Sequence, residues 1–345
     1  MSKDITKISS RRKFLSGAAA ATAGAATLGF PSIVKAQGPI SMRWQSTWPS
    51  KDIFHEYALD YAKLVNDMTG GDLKIEVLPA GAVVPAFGLL DAVSKGTLDG
   101  GHGVIVYHYG KQNALALWGS GPGYGMDANM LLAWHRWGGG KELLEKLYAS
   151  VGANVVSFPY GPMATQPLGW FKKPITKAAD LKGLKLRMPG SKEWLFLGQA
   201  LGGEPTPLAF NEIYLALQTG TIDGQDNPLP TNEKAKFYEV TKQIVLTDHM
   251  IDTVFIAVSD ILWNKLTPIQ KEKMQDAARA ASEFNDINKI RDERVLVDFF
   301  KSKGLTVTVP DKEAFRTTVQ KAYLASEFAK EWPAGLLDKV NATGR

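Results

Sequence analysis

The sequence predicts an α/β fold with two lobes and a long helix that spans the hinge between them. Strand and helix patterns alternate from Ile40 onward, which is typical of a sheet rich in parallel strands. Two similar segments, LLDAVSKGTLDG at 89–100 and IYLALQTGTIDG at 213–224, each predict a helix that ends near a Gly and leads into a strand, one in each lobe. The third observation is the stretch after Thr267, which has no helix breaker until Gly304.

The first lobe begins with a strand over 40–45, followed by a helix whose apolar residues recur at helical spacing. Ser50 is the expected N-cap of that helix, and the pair Gly70-Gly71 ends it. The next elements are predicted as strand 73–78, helix 86–94, strand 98–106, helix 141–150 and strand 154–159.

The long helix has a strong start signal. Thr267 is the expected N-cap, Pro268 takes the first helical position, and Gln270 closes a capping box. At 1.5 Å per residue, a helix of about 36 residues is roughly 54 Å long. Such a helix must span both lobes or kink, and a break into two helices near 285–288 is the alternative.

These elements suggest a division of the chain into four parts. The parts are an export signal at 1–36, lobe one at 37–160, lobe two at 161–249, and a C-terminal tail at 326–345. A strand at 254–259 returns the chain to lobe one, which also takes in about 250–285. Lobe two takes in about 290–325, where a strand at 305–309 and a helix at 312–323 are expected.

Residues 1–36 have the pattern of a twin-arginine export signal. The basic segment Ser10–Leu15 contains Arg11 and Arg12, an apolar stretch follows from Ala18 to Phe30, and Val34–Ala36 offers a small-residue cleavage site. The apolar stretch is short and rich in Gly and Ala for a membrane span, although an uncleaved anchor is the alternative. We therefore expect export of the folded protein to the bacterial periplasm.

Charge and cysteine content exclude several classes of function. The signal carries six basic residues and one acidic residue, so the rest of the chain has 34 of each and a net charge near zero. The overall basicity therefore gives no support for binding of nucleic acid or of an anionic membrane. The chain has no cysteine, which rules out disulfides and thiolate chemistry.

The motifs of common enzymes are missing. The glycine-rich segment GSGPGYG at 119–125 has Tyr124 where a dinucleotide loop needs its third Gly, and there is no P-loop or nucleophile elbow. None of the five histidines has metal-ligand spacing, so each is interpreted as a packing or surface residue.

The best candidate binding residues lie between 182 and 230. A strand ends at Arg187, and Met188-Pro189-Gly190 stops it. A fixed cation at the end of a strand lies where open α/β sheets bind ligands, and a guanidinium matches a carboxylate. Asn227 follows in a turn bracketed by Gly and Pro. The alternative is that Arg187 is an ordinary surface residue at a strand end.

This stretch resembles the solute-binding proteins of TRAP transporters, the tripartite ATP-independent periplasmic transporters. The resemblance rests on the RMPG turn, on PTPLAFNEIYLALQTGTIDGQDNPL at 205–229, and on KFYEV at 236–240. It implies a two-lobed periplasmic binding protein fold with a long hinge helix. It also implies that Arg187 binds the substrate carboxylate, that Asn227 supports it, and that Phe210 stacks beneath it.

Further site residues follow from position and from the resemblance. Trp48 and Tyr107 come after strands of lobe one and are interpreted either as pocket residues or as core. Gln166 precedes G-W-F as in the keto-acid branch of the family, and Asp226 takes an acidic position after the D-G turn. By that resemblance Gln166 and Asp226 could hold Ca²⁺ or Na⁺, although we favour an ion-free site without any other cofactor. Other segments resemble the sialic-acid branch.

We therefore expect a TRAP receptor that captures a small organic acid, a 2-oxo acid, 2-hydroxy acid or sugar acid, and delivers it to the membrane subunits. No bond is broken in this function, and we expect a monomer rather than a dimer. One alternative is an enzyme exported by the twin-arginine route that acts on an organic acid. Another is the binding protein of an ATP-driven importer, which shares the two-lobed design.

Overall fold

The computed structural model describes most of the chain after residue 37. The described ranges are 38–108, 110–112, 114–115, 128–163, 166–189, 198–199, 201–247 and 253–312, with isolated positions from 314 to 335; the side chains of 128–129, 162, 178 and 284–294 are not included. The predicted export signal and the segment 119–125 lie outside these residues, as do most of the predicted helix 312–323 and of the predicted tail.

Strands and helices alternate along the described residues. The strands are β1 (Ile40–Ser46), β2 (Leu73–Leu78), β3 (Gly100–Val104), β4 (Val155–Pro162), β5 (Gly169–Phe171), β6 (Lys185–Met188), β7 (Glu204–Pro207), β8 (Gly224–Gln225), β9 (Gln243–Val245), β10 (Thr253–Ser259) and β11 (Thr306–Thr308). The α-helices are α1 (Ile53–Met68), α2 (Leu89–Ser94), α3 (Ala128–Trp137), α4 (Gly140–Ser150), α5 (Ile213–Thr219), α6 (Leu229–Lys234), α7 (Asp260–Trp263) and α8 (Pro268–Ser302). In the part of the chain that is described, no helix is both long and apolar enough to cross a membrane.

The first sheet has the strand order β2-β1-β3-β10-β4. Strand β1 pairs in parallel with β2 and β3, whereas β10 pairs antiparallel with β3 and β4. The predicted strand at 254–259 therefore does return to this sheet. The expectation of a parallel-rich sheet holds only for the part of this sheet formed by β2, β1 and β3. The returning strand β10 is antiparallel to both of its neighbours.

The second sheet has the order β11-β9-β5-β8-β6-β7. Strand β6 pairs in parallel with β7 and β8, β5 is antiparallel to β8 and β9, and β9 and β11 are parallel. The strands of this sheet come from 169–245 and from β11 after the long helix. The exact lobe boundaries stay a prediction.

Helix α1 begins at a different cap from the one predicted. The Asp52 carboxylate, not the Ser50 hydroxyl, accepts the Phe54 N–H at 2.8 Å. Asp52 directly precedes the first helical residue with extended backbone angles, which is the position and geometry of an N-cap. The apolar side of the helix is buried in the core, including Tyr61 and Val65.

Helix α8 is one continuous helix of 35 residues, so the predicted long helix is confirmed and the alternative of a break near 285–288 is wrong. Its predicted start is confirmed, because Thr267 and Gln270 form both hydrogen bonds of a capping box. The first part packs on α1 and β4, where the Tyr61 hydroxyl donates to the Met274 carbonyl at 3.3 Å. The last part joins the second sheet, where Phe300 meets the Trp170 ring with centroids 4.6 Å apart. A single rigid element therefore contacts both sheets.

Candidate functional site

The guanidinium of Arg187 is buried at the end of β6. Arg187 pairs with Thr206 of β7 on one side and with Gln225 of β8 on the other, which fixes its backbone within the second sheet. The residue is only 2% exposed. A buried cation of this kind needs partners, because removing a charge from water is costly unless the charge is paired and hydrogen-bonded.

Four contacts hold the guanidinium in place. Its Nε donates to the Leu208 carbonyl at 2.9 Å, and Nη1 donates to the Asp226 carbonyl at 3.2 Å and to Asp226 Oδ1 at 3.0 Å. Its Nη2 lies 3.4 Å from the Tyr107 hydroxyl. Since Arg carries five N–H donors, one N–H of Nη2 has no partner among the described residues. The free bidentate fork expected from the sequence is therefore already partly engaged.

Asp226 is the ion-pair partner of Arg187 within the chain. Both side chains are almost completely buried. Burial raises the pKa of Asp226 to about 7, and the adjacent Arg187 guanidinium counteracts part of that rise. Its second oxygen, Oδ2, has no hydrogen-bond partner within the described structure. Asp226, expected from the sequence as an ion ligand, thus directly neutralises the cation expected to bind substrate.

Tyr107 connects the first sheet to this cation of the second sheet. It lies in the 3-10 turn Ile105–His108, directly after β3 of the first sheet, and its side chain is buried. Its ring packs on Phe87 with centroids 4.5 Å apart. Phe87 is 37% exposed and was not identified from the sequence, although a large apolar residue in the Gly- and Pro-bracketed segment before α2 is a usable signal.

Asn227 lies beside Asp226, but its side chain serves the turn. Its Nδ2 donates to Gln225 Oε1 at 2.5 Å, and Gln225 Nε2 donates to Asn232 Oδ1 at 2.5 Å. The Asn227 carbonyl accepts from Trp170 Nε1 and from Asn232 Nδ2, each at 2.9 Å. This network fixes the backbone that presents Asp226 to Arg187, so the described contacts of Asn227 are structural.

Gln166 is buried and has an unsatisfied acceptor. Its Oε1 has no hydrogen-bond partner among the described atoms, and the same is true of Asp226 Oδ2. A buried oxygen without a partner is costly, so each of these two atoms could accept from a bound donor or ligate a cation. The described residues contain no group of three or more His, Asp or Glu side chains that could hold a metal, so any ion here would need other oxygen ligands.

Two further predicted residues pack in cores. The Trp48 ring, 3% exposed, lies against Phe54 and His102 with centroids 5.1 and 5.2 Å away. The Phe210 ring packs on Phe237 at 5.6 Å. Among the described contacts, none joins Trp48 or Phe210 to the Arg187 guanidinium.

The histidines have the packing role expected of them where their contacts are described. His55 Nδ1 lies 2.8 Å from the Ser46 hydroxyl, which also donates to the Trp48 carbonyl. This Ser–His contact is buried, so it offers a substrate no accessible nucleophile. Burial lowers the pKa of His108 and of His135 to about 3, so both are neutral at physiological pH.

Comparison with known proteins identifies the family of this architecture. The model of the family described as bacterial extracellular solute-binding protein, family 7 (DctP), matches residues 45–331. A TRAP periplasmic solute-binding protein from Roseobacter denitrificans, with bound 3-deoxy-D-manno-oct-2-ulosonic acid, superimposes with a TM-score of 0.80 and 33% identity. That similarity covers 88% of this chain and 99% of the other, and it confirms the predicted fold class.

Two curated relatives resemble different branches of the family. The sialic acid-binding periplasmic protein SiaP of Vibrio cholerae is 42% identical over 151 residues, which are 44% of this chain and 47% of that protein. A monocarboxylate 2-oxoacid-binding periplasmic protein of a Nostoc species is 40% identical over 241 residues, 66% of this chain and 65% of that protein. The matches thus span about half of the first relative and just under two thirds of the second.

Proposed function

The chain belongs to the DctP family of bacterial extracellular solute-binding proteins, and we propose that it is the TRAP receptor for a small organic acid recognised at Arg187. Members of this family are periplasmic solute-binding proteins. The observation that carries the proposal is the buried Arg187 with one open N–H beside a hydroxyl from the first sheet. Such a cation suits a carboxylate, because hydrogen bonds between charged groups are stronger than those between neutral groups.

In the proposed complex the protein fixes the orientation of Arg187 before the ligand arrives. Leu208 and Asp226 hold Nε and Nη1, so the guanidinium cannot rotate freely. The ligand carboxylate accepts from Nη2 with one oxygen and from the Tyr107 hydroxyl with the other. Because Tyr107 follows a strand of the first sheet, a ligand that holds both groups favours the closed arrangement of the lobes.

The proposed ligand class is a 2-oxo acid, a 2-hydroxy acid or a sugar acid. The three similar proteins are named for sialic acid, for 2-oxoacids, and for 3-deoxy-D-manno-oct-2-ulosonic acid, which are all organic acids. The Phe87 ring, packed on Tyr107 and partly exposed, offers an apolar surface next to the carboxylate position. Delivery to the membrane subunits, export by the twin-arginine route and a monomeric state are parts of the same proposal.

The proposal does not require an ion in the site. Gln166 Oε1 and Asp226 Oδ2 are buried oxygens of the kind that Na⁺ or Ca²⁺ prefers. Two oxygens are fewer than the six to eight that Ca²⁺ usually takes, so the ligand, water or carbonyl groups would supply the rest. When bound, the ion would add positive charge that attracts the carboxylate. An ion-free site, with Arg187 as the cation, is the simpler form of the proposal.

A thermal-shift screen tests the proposal. Protein purified from the periplasmic fraction is tested against 2-oxo, 2-hydroxy and sugar acids, each with Ca²⁺ and with a chelator. A ligand at 100 times its Kd stabilises the folded state by about 2.7 kcal/mol, which raises the melting temperature measurably. Stabilisation by acids, and not by their amides, supports the proposal. No shift with any acid contradicts it.

A further inference from the structure

The described structure also contains a cavity beside the first sheet. It has a volume of about 340 Å³ and is formed where the end of α3, the start of α4, β4 and the first half of α8 meet. Its main lining residues are Arg136, Trp137, Lys141, Phe158, Gln275 and Arg279. Cavities of about 300 Å³ and above are in the range that holds small molecules. None of the residues that contact Arg187 lines this cavity.

The charged residues of the lining are all basic. Lys141 has a loose ion pair with Glu145 at 3.8 Å, and Arg279 is paired with Asp276, but neither of these acids lines the cavity. Arg136 forms no ion pair with any described residue. A concave surface lined by one sign of charge concentrates the field and attracts an ion of the opposite sign. The cavity therefore favours an anionic group.

The other walls of the cavity are aromatic and apolar. Trp137 is 80% exposed, which is unusual for an indole, while Phe158 on the opposite element is buried. Ala278 of α8 adds a small apolar side chain to the lining. An exposed indole next to a concave site is well suited to stacking on a planar ligand. Charge and apolar area together indicate a ligand with an anionic head and an aromatic body.

The turn between α3 and α4 is closely packed, which fixes the backbone of the neighbouring residues. A Cβ on Gly138 would lie 2.7 Å from the Trp134 ring and one on Gly140 would lie 2.9 Å from it, so only glycine permits this approach. Gly139 has a φ of 86°, which side chains other than glycine rarely adopt. His135 Nε2 lies 3.2 Å from the Thr253 hydroxyl, which ties the end of α3 to β10. Arg136 and Trp137 are thus presented by a fixed backbone.

We propose that this cavity is a second binding site, separate from Arg187, for a small aromatic carboxylate or aromatic phosphate. The anionic head lies between Arg136 and Lys141, and the ring lies against Trp137 and Phe158. This site does not depend on the function proposed for Arg187, because the two sites share no residue.

The test uses ¹⁹F NMR of protein labelled with 5-fluorotryptophan, with phenyl phosphate and indole-3-acetate as probes. The Trp137→Phe variant assigns the resonance of Trp137. We expect both probes to shift that resonance at millimolar concentrations, in wild-type protein and equally in the double variant Arg187→Gln with Asp226→Asn, which leaves no buried charge without a partner. Replacement of Arg136 by Gln should weaken the apparent affinity about tenfold, equivalent to about 1.4 kcal/mol. Ala278→Phe, which adds a large side chain to the lining, should abolish the shift.

Lys146→Gln is the matched control, because it removes the same charge from an exposed position on α4 that does not line the cavity. It should leave the affinity for both probes unchanged. The proposal is overturned if the Trp137 resonance does not move with either probe. It is equally overturned if the shift is the same in Arg136→Gln, or if it disappears in the double variant Arg187→Gln with Asp226→Asn while the circular dichroism spectrum shows a folded protein.

Discussion

The Tyr107 hydroxyl lies 3.4 Å from Nη2 of Arg187, although Tyr107 follows a strand of the first sheet and Arg187 ends a strand of the second. This contact places a donor from one half of the fold next to a cation from the other. A carboxylate held by both groups would connect the two sheets directly.

Tyr107→Phe should weaken binding of the organic acid about tenfold without changing its stoichiometry. The substitution removes one hydroxyl and keeps the ring that packs on Phe87. A hydrogen bond to a charged group is worth about 1.5–3 kcal/mol, and the lower end of that range corresponds to about tenfold in affinity. Isothermal titration calorimetry measures the affinity. Tyr214→Phe removes a hydroxyl bound to Glu239 instead and serves as the control, and equal affinities of both variants would rule out the proposed role of Tyr107.

Asp226→Asn should strengthen carboxylate binding in the presence of a chelator, by about tenfold. Asn keeps an oxygen that can accept from Arg187 Nη1 but removes the like charge that a carboxylate would meet, and such juxtaposition costs up to a few kcal/mol. Because burial raises the pKa of Asp226 to about 7, the comparison is made at about pH 8, where the carboxylate is ionised. Weaker binding without Ca²⁺ would show that the negative charge itself is needed.

Asp52→Asn should make stability less dependent on pH. Burial raises the pKa of Asp52 from 3.8 to about 7, with Glu56 adding to the rise while the Phe54 N–H and Lys234 oppose it. The group therefore contributes stability that is fully present below about pH 4 and is lost as the pH rises through about 7. Asn is an equally good N-cap and does not titrate.

Thermal unfolding at about pH 5 and about pH 8 measures this effect. The melting temperature of Asp52→Asn relative to wild type should be higher at the alkaline pH than at the acidic one. A difference that is constant across the two pH values, or that has the opposite sign, contradicts the account of Asp52.

Thr267→Ala should destabilise the protein by about 1 kcal/mol, because the Thr267 hydroxyl accepts the Gln270 N–H at the start of α8. Thr267→Ser keeps that acceptor and should stay within a few tenths of a kcal/mol of wild type. Urea denaturation gives both values. If Ala and Ser behave alike, the capping box does not stabilise the long helix.

Local sequence signals predicted the main helices and strands. They could not predict contacts between residues that are far apart in the chain. The Thr267 cap and the absence of Gly or Pro up to Gly304 predicted α8, and the structure adds only that no break occurs at 285–288. Ser50 and Asp52 are both good caps by residue type, and only the backbone geometry shows which one acts.

The sequence indicated residues of the candidate site but not the contacts between them. The sequence indicated Arg187, Tyr107 and Asp226, but not that Asp226 would pair with Arg187 across 39 positions of the chain. That contact depends on the pairing of β6 with β8, and no local sequence pattern predicts this pairing. The same holds for Phe87, whose position against Tyr107 depends on how the 3-10 turns before α2 and after β3 meet.

Removal of the cation itself tests the central claim most directly. Arg187→Ala alone would leave the buried Asp226 without a partner, so the decisive comparison is between Asp226→Asn and the double variant Arg187→Gln with Asp226→Asn. The two proteins differ only in the guanidinium and both carry a neutral residue at 226. Calorimetric titration with an acid found in the screen should show binding to the single variant and a loss of about thirtyfold or more in the double variant, since an unpaired charge costs at least 2 kcal/mol. Equal affinity in two folded variants would contradict recognition of the carboxylate by Arg187.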